Sequence, residues 1–464
     1  MIIRNFYNDK LAAATYLVGC GATGEAILID PLRNIAPYLQ KAKDEGLRIV
    51  AVTETHIHAD FLSGLRQVVA ETGATGYLSD EGDSDWKYAF AGETGMKLVK
   101  HGDKILVGNL SLEVIHTPGH TPEHISFLLV DHPAGDTPHS LFTGDFIFAG
   151  DVGRPDLLER AAHVVGTMEK GARVLYNSIK ETSELPDSLL IWPAHGAGSA
   201  CGKSLGGSPV TSLGYERKTN WAFQIHDVDE FVKNILEGQP EPPKYFKEMK
   251  RLNKLGPSIL SEQVNIPELS AENECRFAGS GVQWIDSRKA TTCRKGHKKD
   301  ALVIPQSKNF ITWVGWLLEY ELPIGLVVDN GDSVAEVVTD LQSIGLDHVV
   351  GWIQGSELDN QSTVAIQEIT CQDIQSTDTV LDVRGLGEWL KVHMSESIHI
   401  PLGYVKDRAQ EIPRNQRLVV HCASGGRSPI AVSLLQQLGY DDVVELQGGM
   451  NAVQSNCPQL IAIK

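Results

Sequence analysis

The chain has no Cys-x-x-Cys pair, and so offers no spacing for a structural zinc finger. No apolar run approaches ~18 residues, which excludes an ordinary membrane-spanning helix. The opening Met1-Ile2-Ile3-Arg4-Asn5-Phe6 lacks the charged segment, apolar stretch and small-residue cleavage site of a secretion signal. These absences predict a cytoplasmic protein with no membrane partner. Basic charge is scarce as well: 41 Lys and Arg stand against 59 Asp and Glu, a formal net charge of -18. A nucleic-acid partner is therefore not expected, since such binding neutralises phosphates with basic patches. A small anionic ligand is not excluded, because a local basic pocket can sit within an acidic surface. The seven cysteines (Cys20, Cys201, Cys275, Cys293, Cys371, Cys422 and Cys457) are odd in number and widely spread. Free thiols are expected rather than a disulfide framework, with Cys371 and Cys457 as ordinary thiols.

What is present is enough apolar material, 42% of 464 residues, for two to four cores. Short apolar runs read as buried strands at Ala26–Asp30, Ile49–Thr53, Leu141–Asp145 and Leu189–Pro193. Pro240, Pro242 and Pro243 mark a linker or strap, with a short helix near Tyr245–Asn253. Beyond it the chain repeats itself. Trp284-Ile285-Asp286-Ser287-Arg288 echoes Val380-Leu381-Asp382-Val383-Arg384. Leu302-Val303-Ile304-Pro305 echoes Ile398-His399-Ile400-Pro401, and Leu346-Asp347-His348-Val349-Val350 echoes Tyr440-Asp441-Asp442-Val443-Val444. A near-constant offset of about 95 residues predicts two duplicated domains, each a parallel α/β sheet. The expected boundaries are 1–240, a strap 241–262, 263–361 and 362–464.

Two clusters carry chemistry. The first is Thr55-His56-Ile57-His58-Ala59-Asp60-Phe61, followed by His120 in Thr117-Pro118-Gly119-His120-Thr121, Asp145 in Thr143-Gly144-Asp145, and His195 in Pro193-Ala194-His195-Gly196. Imidazole and carboxylate in loops at strand ends are zinc or iron ligands. This pattern resembles the metallo-β-lactamase superfamily over roughly the first 230 residues, which implies an αβ/βα sandwich with metal at one sheet edge. Binuclear hydrolases of that superfamily read HxHxDH, and Phe61 stands where they carry the last histidine. The chain more closely resembles the persulfide dioxygenases, sharing Thr-His-x-His-Ala-Asp, Pro118 to Pro122, and Thr-Gly-Asp followed by Gly153, Arg154 and Asp156. The resemblance implies one Fe(II) per chain on His56, His120 and Asp145, with His58, Asp60 and His195 orienting those ligands or a bound water. It implies a thiol persulfide and O2 as substrates, sulfite and thiol as products, a role in sulfide detoxification, and a homo-oligomer. The alternative is a binuclear zinc thioester hydrolase of the glyoxalase II type. Cys201, in Gly198-Ser199-Ala200-Cys201-Gly202, reads either as a persulfide carrier or as a small residue in a tight turn. Tyr215 and Arg217 are candidates for the substrate pocket, with a plain surface role as the competing reading for Arg217.

The second cluster is Cys422-Ala423-Ser424-Gly425-Gly426-Arg427, between the apolar strand Leu418-Val419-Val420 and a helix beginning at Ser428. Such a loop turns successive N–H groups inward, and together with the helix dipole and Arg427 it should favour a thiolate at Cys422. The stretch 362–464 resembles the rhodanese family through Asp382-Val383-Arg384, Glu388-Trp389, His393, Ile400-Pro401-Leu402 and Leu446-Gln447-Gly448-Gly449-Met450. This implies that Cys422 accepts sulfane sulfur, forming or using thiosulfate; the six-residue loop favours sulfur transfer over phosphatase chemistry. The middle copy reads Val327-Val328-Asp329-Asn330-Gly331-Asp332-Ser333 at the equivalent place, with no cysteine, and is expected to be catalytically silent. Cys293 lies elsewhere in it. The fold expected is an N-terminal metallo-β-lactamase sandwich followed by two rhodanese-like parallel α/β domains.

Overall fold

Alternating apolar residues build two facing sheets in the N-terminal half. The structure, a computed structural model, describes residues 1–162, 166–260, 266–269, 281–358 and 363–462. Cys275 and the expected boundaries at 262/263 and 361/362 lie outside them. The first sheet runs β1 (Ile2–Asn8), β2 (Ala13–Cys20), β3 (Glu25–Ile29), β4 (Arg48–Thr53), β5 (Thr75–Ser79) and β6 (Met96–Val99) in that order. It is antiparallel from β1 to β3 and parallel from β3 to β6. The second comprises β7 (Lys104–Val107), β8 (Leu110–His116), β9 (Ile125–Asp131), β10 (Ser140–Gly144), β11 (Leu190–Pro193) and β12 (Thr211–Ser212), again as consecutive neighbours.

Every second residue of these strands enters one core: Tyr16 and Val18 of β2, Ile27 and Ile29 of β3, Leu112 and Val114 of β8, Phe127 and Leu129 of β9. That is the period-two pattern of a sheet with one face against another sheet. The outer face of the second sheet, through Leu128, Leu141 and Ile191, packs on helices Thr167–Glu181 and Val228–Leu236 via Leu175, Ile179, Phe231 and Ile235. Helices Ala36–Asp44 and Leu65–Thr72 pack on β4 at the outer face of the first sheet. The layering is αβ/βα. The proline-marked strap holds helix Phe246–Leu255, with Phe246, Met249 and Asn253 buried.

The chain forms two compact units, residues 1–262 with 342–345, and residues 263–341 with 346–464. The second unit contains β13 (Gln283–Asp286), β14 (His297–Lys298), β15 (Ala301–Val303), β16 (Ile324–Val328), β17 (Val349–Gln354), β18 (Thr363–Val364), β19 (Gln367–Ile369), β20 (Thr379–Asp382), β21 (Ile398–His399), β22 (Leu418–His421) and β23 (Val443–Leu446). One parallel sheet has the order β15-β13-β16-β17, and another the order β21-β20-β22-β23-β19. The first four positions correspond strand for strand. The internal ion pair is repeated too: Arg288 forks onto Asp286 as Arg384 forks onto Asp382. Helix Ser428–Gln437 of the later copy packs against β15 of the earlier one, where the Val303 N–H donates to Ser433 Oγ at 2.9 Å.

One cysteine expectation is corrected. Cys371 and Cys457 form a disulfide, S–S 2.02 Å, inside the cluster of Met394, Val419, Leu446, Met450 and Val453. Cysteine count and spacing carry no information about two residues 86 apart that only the finished fold brings together. Cys20, Cys201, Cys293 and Cys422 are free and buried. Among the described residues no helix is long and apolar enough to cross a membrane.

Candidate metal centre and thiolate loop

The four loops that follow β4, β8, β10 and β11 place His56, His120, Asp145 and His195 together. Left-handed Gly144, φ 51°, lets the chain turn at the end of β10; a Cβ there would lie 2.4 Å from Thr55 Oγ1. The Nε2 atoms of His56 and His120 lie 4.0 and 3.4 Å from Asp145 Oδ2. All three side chains are buried, and their ligand atoms lie within 4.8 Å of one another.

The other nitrogen of each ring is committed. His120 Nδ1 donates to the Arg154 carbonyl at 2.9 Å, which leaves the Nε2 lone pair bare. His56 Nδ1 sits 3.0 Å from Thr55 Oγ1, whose hydroxyl donates to Asp30 at 3.0 Å. Burial, then the neighbouring imidazoles, hold His56 well below the usual histidine range, and burial lowers His120. Both are neutral imidazoles, as ligation requires. Among the described residues, neither carboxylate oxygen of Asp145 has a hydrogen-bond partner. Buried polar atoms are rarely left so. The donor set fits a divalent iron or zinc ion.

His58 faces elsewhere. Its Nε2 lies 3.1 Å from Asp30, and against the burial that would lower it, the Asp30 carboxylate raises its pKa to about 9. The ring stacks on Phe61 with centroids 4.3 Å apart. Asp60, His195 and Cys201 form a second group whose ligand atoms also lie within 4.8 Å. His195 Nε2 is 3.3 Å from both Asp60 and Asp145, while its Nδ1 donates to the Ala12 carbonyl at 3.0 Å. Burial, followed by the Asp145 and Asp60 charges, pushes the Cys201 thiol well above its ordinary range. Cys201 is thus a buried sulfur enclosed beside two carboxylates.

Several residues outside the motif triplets hold these loops. The buried Arg154–Asp156 fork, 2.7 Å on both arms, lets Arg154 Nη1 donate to the Ala200 carbonyl at 2.9 Å, tying the Cys201 loop to the backbone that positions His120. Asn253 donates to the carbonyls of His58 and Phe61, at 2.8 and 2.7 Å, and accepts the Ser63 N–H at 2.9 Å. Asp30 accepts the Thr55 N–H at 2.6 Å, and Glu123 the Ile57 N–H at 2.8 Å. Arg154 and Asp156 are visible in the Gly-Arg-x-Asp motif. Asn253 has no sequence signal, being 195 residues from His58.

The substrate-pocket reading of Arg217 gains no support from its contacts. Its guanidinium is engaged by Asp187 and by the Thr182 and Leu185 carbonyls. Tyr215, on the same helix Leu213–Thr219, is 62% exposed.

At the other end of the chain, Cys422 is buried between β22 and helix Ser428–Gln437. Its sulfur accepts the Gly425 N–H at 3.1 Å and the Arg427 N–H at 3.4 Å, and Ser428 Oγ lies at 3.5 Å. Gly425, φ 100°, provides the turn that Ala423, Ser424 and Gly426 complete. Burial would raise the thiol pKa, but the Ser428 hydroxyl and these N–H groups lower it below the ordinary range. The Arg427 guanidinium forks onto Glu388 at 2.6 and 2.8 Å, while both its charge and its backbone N–H act on the sulfur. In the middle copy, β16 ends in a short helical turn Gly331–Ser333, and Cys293 is buried beside Asp286, its thiol pushed far up by burial.

Comparison with known proteins follows this division. The family described as the metallo-beta-lactamase superfamily matches residues 9–195, and the rhodanese-like domain matches residues 365–456. The mitochondrial persulfide dioxygenases ETHE1 of Bos taurus and Homo sapiens are each 30% identical over 238 residues, covering 50% of this chain and 80% of theirs. A hydroxyacylglutathione hydrolase of Polaromonas sp. is 34% identical over 183 residues, covering 39% of this chain and 60% of its own. A crystal structure of a metallo-beta-lactamase from Staphylococcus aureus is 41% identical, with TM-score 0.69, covering 76% of this chain and 99% of that one. Through its N-terminal half, this chain belongs to the persulfide dioxygenase family of the metallo-beta-lactamase superfamily, and it carries a rhodanese-like domain behind it.

Proposed function

We propose that the chain oxidises a low-molecular-weight thiol persulfide with O2 to sulfite and thiol, and passes sulfane sulfur through Cys422 to form or use thiosulfate, in sulfide detoxification. The carrying observation is the donor set: two imidazoles with bare Nε2 atoms face a buried carboxylate with both oxygens unpartnered. Iron is the metal this reading requires, one per chain on His56, His120 and Asp145, because it supplies redox chemistry toward O2 and sulfur where zinc does not.

The chain's own residues hold that centre in shape. Thr55 and the Arg154 carbonyl fix the two imidazole tautomers. Asp30 keeps His58 protonated and out of the ligand set. Asp60, His195 and Cys201 line the side beside Asp145, where the enclosed Cys201 sulfur can align a persulfide. In balance, RSSH, O2 and H2O give RSH and sulfurous acid, which ionises to sulfite. At the second site a Cys422 persulfide anion gives its outer sulfur to sulfite, yielding thiosulfate and regenerating the Cys422 thiolate. The loop N–H groups stabilise that leaving thiolate.

A second reading, the binuclear zinc thioester hydrolase, has one observation in its favour. Asp60, His195 and Cys201 form a second donor group, with the Asp60 oxygens and His195 Nε2 unpartnered. One experiment separates the two: anaerobic loading with Fe(II), addition of glutathione persulfide and O2, and quantification of O2 uptake, sulfite and thiosulfate. One iron per chain with oxygen-dependent sulfite formation is expected. A fully ferrous chain inert to O2 would overturn the proposal, and two zincs in the chain as purified, with thioester cleavage, would establish the second reading in its place.

A further inference from the structure

The copy that lacks a cysteine loop reaches into the loop of the copy that has one. Arg294 follows the short helix Ala290–Cys293 of the earlier copy. Its Nε and Nη2 donate to the two oxygens of Glu445 at 2.7 and 2.8 Å, and Nη2 also lies 3.4 Å from the Gly425 carbonyl. Glu445 is on β23 and is fully buried. A carboxylate in the interior of a strand needs a partner. Among the described contacts its cation comes from the other copy, with Glu368 of β19 at 3.3 Å on the outer side of the same guanidinium.

Glu445 is one atom away from the chemistry. The Ser428 hydroxyl donates to Glu445 Oε1 at 2.7 Å, and that same Oγ lies 3.5 Å from Cys422 Sγ. Serine has a single proton to give. Donated to Glu445, it leaves the sulfur with the Gly425 and Arg427 N–H groups but without its side-chain donor, which weakens the thiolate; turned to the sulfur, it adds a third donor and favours the thiolate. A bidentate guanidinium satisfies both Glu445 oxygens and neutralises the charge, so the hydroxyl is free to turn.

We propose that Arg294 is a positioning residue for Cys422: by forking onto Glu445 it releases the Ser428 hydroxyl to the sulfur and adds a cation at the mouth of the loop. The copy without a cysteine loop thus completes the site of the copy that has one. Among the described residues, the other titratable groups near Cys422 share no partner with the Ser428 hydroxyl. Arg427 of the loop is on Glu388 of helix Leu386–Lys391, and His421 of β22 lies 3.7 Å from Asp382 of β20, itself held by Arg384. Arg294 is then the cation whose partner is shared with the sulfur's own hydrogen-bond donor.

The inference rests on Cys422 being the sulfur acceptor, and it is tested on the full chain by a measurement that needs no sulfur donor. Iodoacetamide alkylation of Cys422, located by peptide mass, is followed against pH for the native chain and three variants. Arg294→Gln is expected to raise the midpoint by about one pH unit, a roughly ten-fold slower reaction at any pH below both midpoints. Arg294→Gln combined with Glu445→Gln removes the buried charge with its partner and is expected to return the midpoint close to native, a rescue that a merely structural role would not give. Arg294→Lys keeps the charge without the fork, is expected to fall between, and serves if Arg294→Gln does not fold. A folded Arg294→Gln or Arg294→Lys chain with a native midpoint overturns the proposal, as does a double variant no closer to native than the single one. If neither single variant folds while the double variant does, Arg294 is a structural counter-ion and the proposal also falls. Absence of sulfur transfer by the native chain, with the alkylation shifts as expected, would instead sink only the functional reading.

Discussion

Ser428 shows how much one hydroxyl decides. It is fully buried, and among the groups that lower the Cys422 pKa its side chain leads the backbone N–H groups. A depressed thiol pKa means that thiolate persists as pH falls below about 8.5, and is lost only as pH falls through the lowered value. The stability this contributes is complete above the unfolded thiol's pKa and fades on acidification through the folded one. Ser428→Ala is therefore expected to move the alkylation midpoint of Cys422 upward and slow labelling at neutral pH by roughly three- to ten-fold. Rate against pH checks it; an unmoved midpoint would leave the N–H groups as the whole cause. At this scale the grouping of His56, His120 and Asp145 was readable because each sits in a motif with its own glycine or small residue. Asp30 was not. It meets Thr55 and His58 only because β3 and β4 run parallel and end together, a pairing no local pattern announces.

The strap is the element whose role is largest relative to its signal. Its prolines and helical periodicity mark a helix, yet nothing local shows that Asn253 on that helix closes the loop of His58 to Ser63. Asn253→Ala leaves the Ser63 N–H and two carbonyls without their partner in a buried place, and each such group costs roughly 1–3 kcal/mol. The expected result is a melting transition lower by roughly 6 °C or more and, with the proposed iron loaded, weaker retention of it, since the loop that presents His56 loses its clamp. Calorimetry and metal analysis after dialysis check both. A variant that melts earlier but keeps its iron would show that Asn253 supports the fold without shaping the centre. The disulfide was hidden for the same physical reason. Cys371 precedes β20 and Cys457 ends helix Gly449–Asn456, so only the completed α/β packing brings them together.

At the scale of the molecule, the duplication was legible because strand-end motifs such as Asp-x-Arg recur at a steady offset, and the two parallel sheets share four strand positions. The cooperation between copies was not legible, because Arg294 lies outside every motif and its partner Glu445 reads as one polar residue within an apolar strand. The proposed function puts two chemistries on one chain and raises the question of which feeds the other, and substitution at each centre answers it. His120→Ala removes one of the imidazoles with a bare nitrogen, so oxygen uptake should vanish while transfer of sulfur from thiosulfate to cyanide continues. Cys422→Ser removes the nucleophile, so that transfer should stop. Oxygen uptake in Cys422→Ser then discriminates. If a free persulfide reaches iron directly, uptake continues and sulfite accumulates in place of thiosulfate. If the persulfide arrives only by way of Cys422, uptake collapses together with transfer. The first result is expected with glutathione persulfide, because the ligand atoms of the metal group lie in the first compact unit and owe nothing in their hydrogen bonding to Cys422. Thiosulfate as the sole sulfur source is the sharper case, since its outer sulfur must be taken up by a thiolate before any persulfide exists to be oxidised.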